Sequence, residues 1–445
     1  MSRVFVVCGF FIVCLLWRQL APPALRSKLI PWALAVLLMN LTCGAFYWGP
    51  FRAIYAFSNF IAYAIMCDGL WLGKKGRNAA WTAFLTFFAY LSISTLFGYY
   101  PFEGLVYWAH ILLTSFCCGY YVARWMVRTE GAVTRLTLAV ACVSVVILYL
   151  YWKHGAMMAV DEQFGGLRGG FEESTLAEGV VANVNGIAGA MLSCALFLVL
   201  GIAQQANTKL KKILKIVCAL EMVLAMIVLV RAGSRGALIG FVPVAWYYLF
   251  PKLRKAKVGR RVVLAIILLV AIGLCVRRIM GSSELRVFDF KVHADTYATA
   301  ADSLTTGRMT MWEKNVARMD SVEKLVGAGM FIECKSRETG RVAAGNAHSL
   351  YMTIFYNSGF MGLLFLLIFL VTSVTMGLRM RNRGHMALMF IGAWMLTGLG
   401  ESAGMTGTFY GVLCGFGIGL LTKGYAFNSE FDERVSFGKF GSILR

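Results

Sequence analysis

Three residues occupy positions where their chemistry is costly unless it is used. Arg235 lies in Gly233-Ser234-Arg235-Gly236, Arg308 in Thr305-Thr306-Gly307-Arg308-Met309-Thr310-Met311-Trp312, and His348 in Asn346-Ala347-His348-Ser349. Each falls at the start of a segment whose pattern predicts a helix. A helix N-terminus carries unpaired N–H groups and the positive end of the macrodipole, so a cation there is disfavoured. The same place attracts an anion, and a guanidinium beside it offers a charge-assisted bidentate partner. A neutral imidazole takes a proton from a hydroxyl, and a helix start and nearby arginines both oppose its protonated form. Two such arginines and one such histidine thus suit an anion and a hydroxyl nucleophile. Taken singly, each has a plainer reading: Arg235 snorkelling to an interface, Arg308 solvated, His348 hydrogen-bonded in a structural role.

A fourth segment, 153–185, is Gly-rich and contains Arg168-Gly169-Gly170-Phe171 and Asn183-Val184-Asn185. It is placed to form a wall of the same cavity. Its acids (Asp161, Glu162, Glu172, Glu173) lack a recognisable ligand spacing and read as a solvated loop. Asp68, Glu221 and Glu401 are embedded in or flank apolar runs, where polar pairing between helices accounts for them. His110, His154, His293 and His385 have no patterned neighbourhood.

The elements that must position these residues are set by composition. Of 445 residues, 59% are hydrophobic and 15% charged, against about 25% charged in soluble domains. That excludes a soluble globular chain, and disorder with it. Twelve cysteines are present, eleven within or at the ends of apolar runs, with Cys334 alone in a long polar stretch and no C-x-x-C spacing. A disulfide or metal framework is not expected, and these thiols read as small apolar fillers. Apolar runs fall at 4–17, 30–48, 53–72, 79–98, 104–123, 136–152, 183–204, 213–230, 236–250, 262–276, 350–378, 386–400 and 406–422. At roughly 20 residues per crossing, the expectation is an all-α polytopic membrane protein, a bundle of about 12 transmembrane helices with a helical loop domain on one side.

The net charge of +21 would suggest nucleic acid in a soluble chain. Here the basic residues gather in alternate loops, around Arg18, Arg26 and Lys28; Lys74, Lys75 and Arg77; Arg124, Arg128 and Arg135; Lys209, Lys211 and Lys212; 252–261; and Arg379, Arg381 and Arg383. The positive-inside rule puts these loops, and the tail from Lys423, in the cytoplasm. The opposite side receives 153–182, the tight junction 231–235 and the long stretch 277–349. Between 281 and 347 there are nine basic and nine acidic residues. Within it, 309–326 reads as one amphipathic helix, with Trp312, Val316, Met319, Val322 and Val326 on one face and Glu313, Lys314, Asp320 and Lys324 on the other.

The order Gly233-Ser234-Arg235-Gly236, Gly307-Arg308 with Trp312, Leu325-Val326-Gly327-Ala328-Gly329 and His348 resembles the O-antigen ligase, O-antigen polymerase and O-linked oligosaccharyltransferase superfamily. The ligase pattern His-[Asn/Ser/Gln]-x9-Gly-x-x-Gly is matched by His348-Ser349, nine residues from Leu350 to Ser358, then Gly359-Phe360-Met361-Gly362. The resemblance runs from about 165 to 380.

It implies a glycosyltransferase of the bacterial inner membrane with its active site facing the periplasm and its C-terminus in the cytoplasm. The donor implied is a glycan on undecaprenyl diphosphate, and the acceptor a sugar hydroxyl of lipid A–core oligosaccharide. By resemblance His348 is the general base, and Arg235, Arg308 and, less specifically, Arg168 hold the diphosphate. No cofactor or metal is implied, and one displacement inverts the anomeric carbon. The domain division expected is 1–152 N-terminal transmembrane helices, 153–182 periplasmic loop, 183–276 central transmembrane helices, 277–349 large periplasmic loop domain, 350–422 C-terminal transmembrane helices and 423–445 cytoplasmic tail. The alternatives are a polymerase of the same superfamily, with the same chemistry and another acceptor, and a membrane transporter. A transporter would line its path with charges at mid-bilayer and on broken helices, whereas the informative residues here cluster outside the span centres.

Overall fold

The computed structural model describes residues 12–43, 61–67, 78–155, 160–161, 166–167, 184–204, 207–231, 235–247, 308–329, 349–380, 382–400 and 409–422. The apolar runs become helices where they are described. α1 is Pro23–Cys43 and α2 Ala79–Leu96. α3, Pro101–Leu113, continues through a π-helical segment, Thr114–Tyr120, into α4, Tyr121–Arg128. α5 is Ala132–Gly155, α6 Val184–Ala203 and α7 Lys209–Arg231. α8 is Arg235–Gly240; the run expected at 236–250 breaks at Phe241 and resumes as helix over 242–247. α9 is Arg308–Arg318, α10 Ser321–Val326, α11 Leu350–Arg379, α12 Asn382–Thr397 and α13 Phe409–Leu421. Between α5 and α6, Val160–Asp161 and Gly166–Leu167 pair as a two-residue antiparallel hairpin. The run at 262–276, and most of those at 4–17 and 53–72, lie outside the described residues.

By length and apolarity, three described helices suffice to cross a membrane: Ala79–Leu96, Ala132–Tyr149 and Leu350–Arg379. Shorter apolar helices cover Ala188–Ala203, Gly236–Tyr247 and Gly411–Leu421.

Helix starts and close approaches follow from particular residues. Asn78 opens α2, its side chain accepting from the Trp81 N–H at 2.9 Å. α13 carries Gly411, Gly415 and Gly419, four residues apart, and lays that face on the π segment. A Cβ at Gly419 would come within 2.6 Å of the Ala123 Cβ, and one at Gly415 would overlap the Ser115 carbonyl. Small residues at this spacing let two helix backbones touch, the usual route to tight packing in lipid. On another side of α13, Phe416 packs edge-on to Phe197 of α6 at 4.9 Å and against Phe390 of α12 at 4.6 Å.

The helices have two distinguishable ends. At one end Arg383, opening α12, donates from Nε to the Leu420 carbonyl and from Nη2 to that of Thr422, while Asn78 Nδ2 donates to Leu421 at 2.6 Å. Burial, and then the neighbouring Arg124, lower the Arg383 guanidinium to about 10. Arg124 is itself buried and donates to the Tyr120 hydroxyl at 2.6 Å. Arg124 and Arg383 come from two of the basic loops that charge places on one side, so the fold brings those two loops together. At the other end lie Gly98, the 327–329 loop, the start of α11 and the end of α12.

Two readings are corrected by the helices themselves. The single amphipathic helix expected over 309–326 is two helices. Asp320 ends the continuity by capping α10, accepting from the Glu323 N–H at 2.8 Å while Glu323 accepts from the Asp320 N–H at 2.9 Å, a full capping box. The expected apolar face is broken with it: Met319 is buried, but Val322 is 67% exposed. Asn315, by contrast, is fully buried. Glu221 is buried, and neither of its carboxylate oxygens has a hydrogen-bond partner among the described residues, so the polar pairing expected of it is not found there.

Candidate functional site

The pieces singled out in the sequence converge on the turn Gly398–Leu399–Gly400 that follows α12. Arg308, the first residue of α9, donates from Nη1 to the Gly400 carbonyl at 2.5 Å. Leu350, the first residue of α11 and two residues beyond His348, donates its N–H to the Gly398 carbonyl at 2.7 Å. Gly236, the residue after Arg235, lies against the same turn, where a Cβ on Gly400 would stand 3.4 Å from its Cα. The starts of α8, α9 and α11 are therefore neighbours around one helix end. His348 and Arg168 lie outside the described residues, and Arg235 is placed by its backbone, at the start of α8.

The electrostatics of Arg308 differ from the expectation. From its own helix it sits at the positive end, which argued for an anion. The structure turns its guanidinium to the C-terminal end of α12, whose last carbonyls carry partial negative charge. Helix polarity alone therefore does not demand an anion at Arg308. One donor of the guanidinium is committed to Gly400.

The Gly-x-x-Gly half of the His348 motif has a structural explanation. Gly359 takes φ +63°, ψ −164° inside α11, a conformation that only glycine adopts freely. The break orphans the carbonyls of the preceding turn, and distant segments take them up. Ala328 N–H donates to Tyr356 at 2.9 Å and Gly329 N–H to Asn357 at 3.0 Å. The Ser94 hydroxyl donates to Asn357 at 2.6 Å and the Tyr90 hydroxyl to Ser358 at 3.3 Å. A Cβ on Gly359 would approach the Val326 nitrogen within 2.6 Å, so the 325–329 loop rests directly on the break. The two sequence motifs, Leu325–Gly329 and Gly359-x-x-Gly362, are two sides of one contact. It is closed by Ser94 and Tyr90 of α2 and by Gly98 just beyond it, with the Tyr99 N–H donating to the Ala328 carbonyl at 3.2 Å. The segment Leu350–Ser358, which follows His348, is thus held at both ends.

Sequence reasoning missed Ser94, Tyr90, Gly98, Gly398 and Gly400. Ser94 and Tyr90 are ordinary polar residues of a span. The spaced glycines at 398 and 400 were a usable signal, because paired glycines after a helix mark a close approach.

Helices long and apolar enough to cross a membrane, with polar chemistry gathered at their ends, define a helical membrane protein. A family model described as O-antigen ligase matches residues 220–367, a stretch that contains Arg235, Arg308 and His348. Over that stretch, about a third of the chain, the protein is similar to the O-antigen ligase family. No curated protein matches the chain.

Proposed function

We propose that this protein transfers O-antigen glycan from undecaprenyl diphosphate to a sugar hydroxyl of lipid A–core oligosaccharide, in the inner membrane and on its periplasmic side. The supporting observation is that the family match spans all three chemical residues while Arg308, the start of α8 and the start of α11 meet at one turn. The bundle has about twelve spans, with residues 277–349 as the large periplasmic loop domain and 423–445 as a cytoplasmic tail.

In this reading His348 takes the proton of the acceptor hydroxyl as its oxygen attacks the anomeric carbon. The bond from that carbon to the diphosphate breaks, undecaprenyl diphosphate leaves, and the configuration inverts. Arg235 and Arg308 hold the diphosphate and stabilise the charge that builds on it; Arg168 contributes to the same anion. The donor linkage supplies the driving force, so no nucleotide is consumed, and the arginines replace a metal as the counter-charge.

The test is transfer in proteoliposomes with purified lipid-linked donor and core acceptor, with and without chelator. His348→Ala is expected to abolish transfer with normal membrane insertion. Arg235→Lys and Arg308→Lys are expected to retain only part of the activity, because an ammonium lacks the bidentate fork. Near-normal transfer by His348→Ala would remove the base. Extension of the glycan on the carrier, with no product on core, would make the protein a polymerase.

A further inference from the structure

We propose that the Gly398–Leu399–Gly400 turn is the positioning element of this active site, holding the donor-clamping and the proton-accepting sides in register. The proposal rests on the functional reading above. It concerns residues outside the family-matched stretch 220–367.

The turn completes α12 with its own N–H groups: Gly398 donates to Trp394 at 3.1 Å and Gly400 to Thr397 at 3.1 Å. Its carbonyls face outward from the helix, as the last carbonyls of any helix must. Two of them are claimed by segments far away in sequence. Gly398 takes the first N–H of α11, and Gly400 takes Arg308. One rigid helix end thereby fixes the segment that follows His348 and the guanidinium of Arg308 at a spacing of two residues.

The absence of side chains at the turn serves the same end. A Cβ at Gly398 would come 2.7 Å from the Leu350 Cβ, so α11 starts where it does only because residue 398 has none. A Cβ at Gly400 would stand 3.4 Å from the Gly236 Cα and 4.0 Å from Arg308 Nη1, an ordinary contact. A longer side chain there would wedge between the start of α8 and Arg308. The two glycines therefore control different halves of the reaction. Gly398 sets the start of α11, two residues beyond His348 in sequence, and Gly400 sets the two arginine-bearing starts.

The experiment uses the full chain in nanodiscs. Kinetics with lipid-linked donor are expected to split. Gly398→Ala should lower kcat at least tenfold with donor KM within twofold of the parent. Gly400→Leu should raise donor KM at least fivefold with the smaller change in kcat, and Gly400→Ala should raise it less than Gly400→Leu. Equal loss in kcat and KM for both positions would reduce the turn to a stability element and overturn the proposal. Geometry is read without transfer: Gly236→Cys with Gly400→Cys is expected to be bridged, at mapped positions, by a short thiol-specific cross-linker, since a Cβ on Gly400 stands 3.4 Å from the Gly236 Cα. Failure of that pair to link would overturn the juxtaposition even if Gly398→Ala failed to fold. An inactive His348→Ala beside parent-like Gly398→Ala and Gly400→Leu would remove the positioning role and leave the transferase reading standing. Absence of transfer by the parent protein would remove both, whatever the cross-link shows.

Discussion

The Ser94 hydroxyl lies 2.6 Å from the Asn357 carbonyl and 3.0 Å from that of Val326, joining a helix of the N-terminal half to both motif segments of the C-terminal half. Asn357 lies two residues before the opening of α11 at Gly359, and Val326 is the last residue of α10. One hydroxyl therefore serves two backbone ends that meet only in the folded protein.

Ser94→Ala removes that donor while the Gly329 N–H still reaches Asn357 at 3.0 Å. The expected cost is about 1 kcal/mol, the net worth of a buried hydrogen bond, with the remaining partner preventing a larger loss. Thermal denaturation of the detergent-solubilised chain should fall for Ser94→Ala and less for Ser94→Thr, which keeps the hydroxyl. Identical curves for the alanine variant and the parent would show that α2 does not secure the break.

Two glycines share a positive φ but differ in what surrounds them, and Gly359 also has ψ −164°, a region essentially closed to other residues. Gly131 has φ +66° with nothing within 4 Å of a would-be Cβ, whereas Gly359 has φ +63° and the Val326 nitrogen at 2.6 Å. Gly131→Ala should cost about 1–2 kcal/mol, the price of a left-handed alanine. Gly359→Ala should cost clearly more and should loosen the 325–329 loop, seen as faster proteolysis there. Equal destabilisation at the two sites would mean that the break relaxes and the loop moves aside freely.

How much of this was legible beforehand divides along physical lines. The helices were, because a run of about 20 apolar residues has few other solutions in a membrane. The helix starts at Arg235 and Arg308 were too, because isolated polar residues stand out against an apolar background; His348 lies outside the described residues. The Gly359-x-x-Gly362 pattern was visible as a motif, but not its work: whether a glycine opens a helix depends on what approaches it, here Leu325 and Val326 from another element. The break at Asp320 was hidden because the apolar spacing ran across it, although the Asp320–Glu323 pair is itself a helix-start signature. The π segment left no trace in hydropathy. The Gly398–Gly400 turn was hidden at the end of the apolar run 386–400, where hydropathy does not distinguish a turn from the helix before it.

The glycine face of α13 predicts a gradient along one helix. A Cβ at Gly411 meets the Ser115 hydroxyl at 3.2 Å, a side-chain atom free to give, while one at Gly415 would overlap the Ser115 backbone carbonyl. Gly411→Ala should leave membrane yield and melting close to the parent. Gly415→Ala should force α13 off the π segment and reduce both sharply, by roughly the 1–3 kcal/mol or more that overpacking costs. Two equally tolerated alanines would place α13 farther from the π segment than its glycines indicate.

Arg383 supplies the last prediction, because a buried charge and a helix end offset each other there. Its Nε and Nη2 close the carbonyls of Leu420 and Thr422, and the planar fork spans both at once. Arg383→Lys keeps the charge but offers a point donor, so at least one carbonyl loses its partner, at a cost of about 1–3 kcal/mol. The pH dependence carries a definite sign. Burial and Arg124 lower the folded-state pKa of Arg383 to about 10, below its ordinary value. Holding it charged therefore costs stability at every pH below that value, and the cost is relieved only as pH rises through it. Across roughly pH 5 to 9 the group stays protonated in both states and adds no slope. Melting curves of the parent and of Arg383→Gln, which carries no titrating group, should therefore be offset by a constant amount over that range. A gap that opens or closes within it would assign the stabilisation to another titrating group.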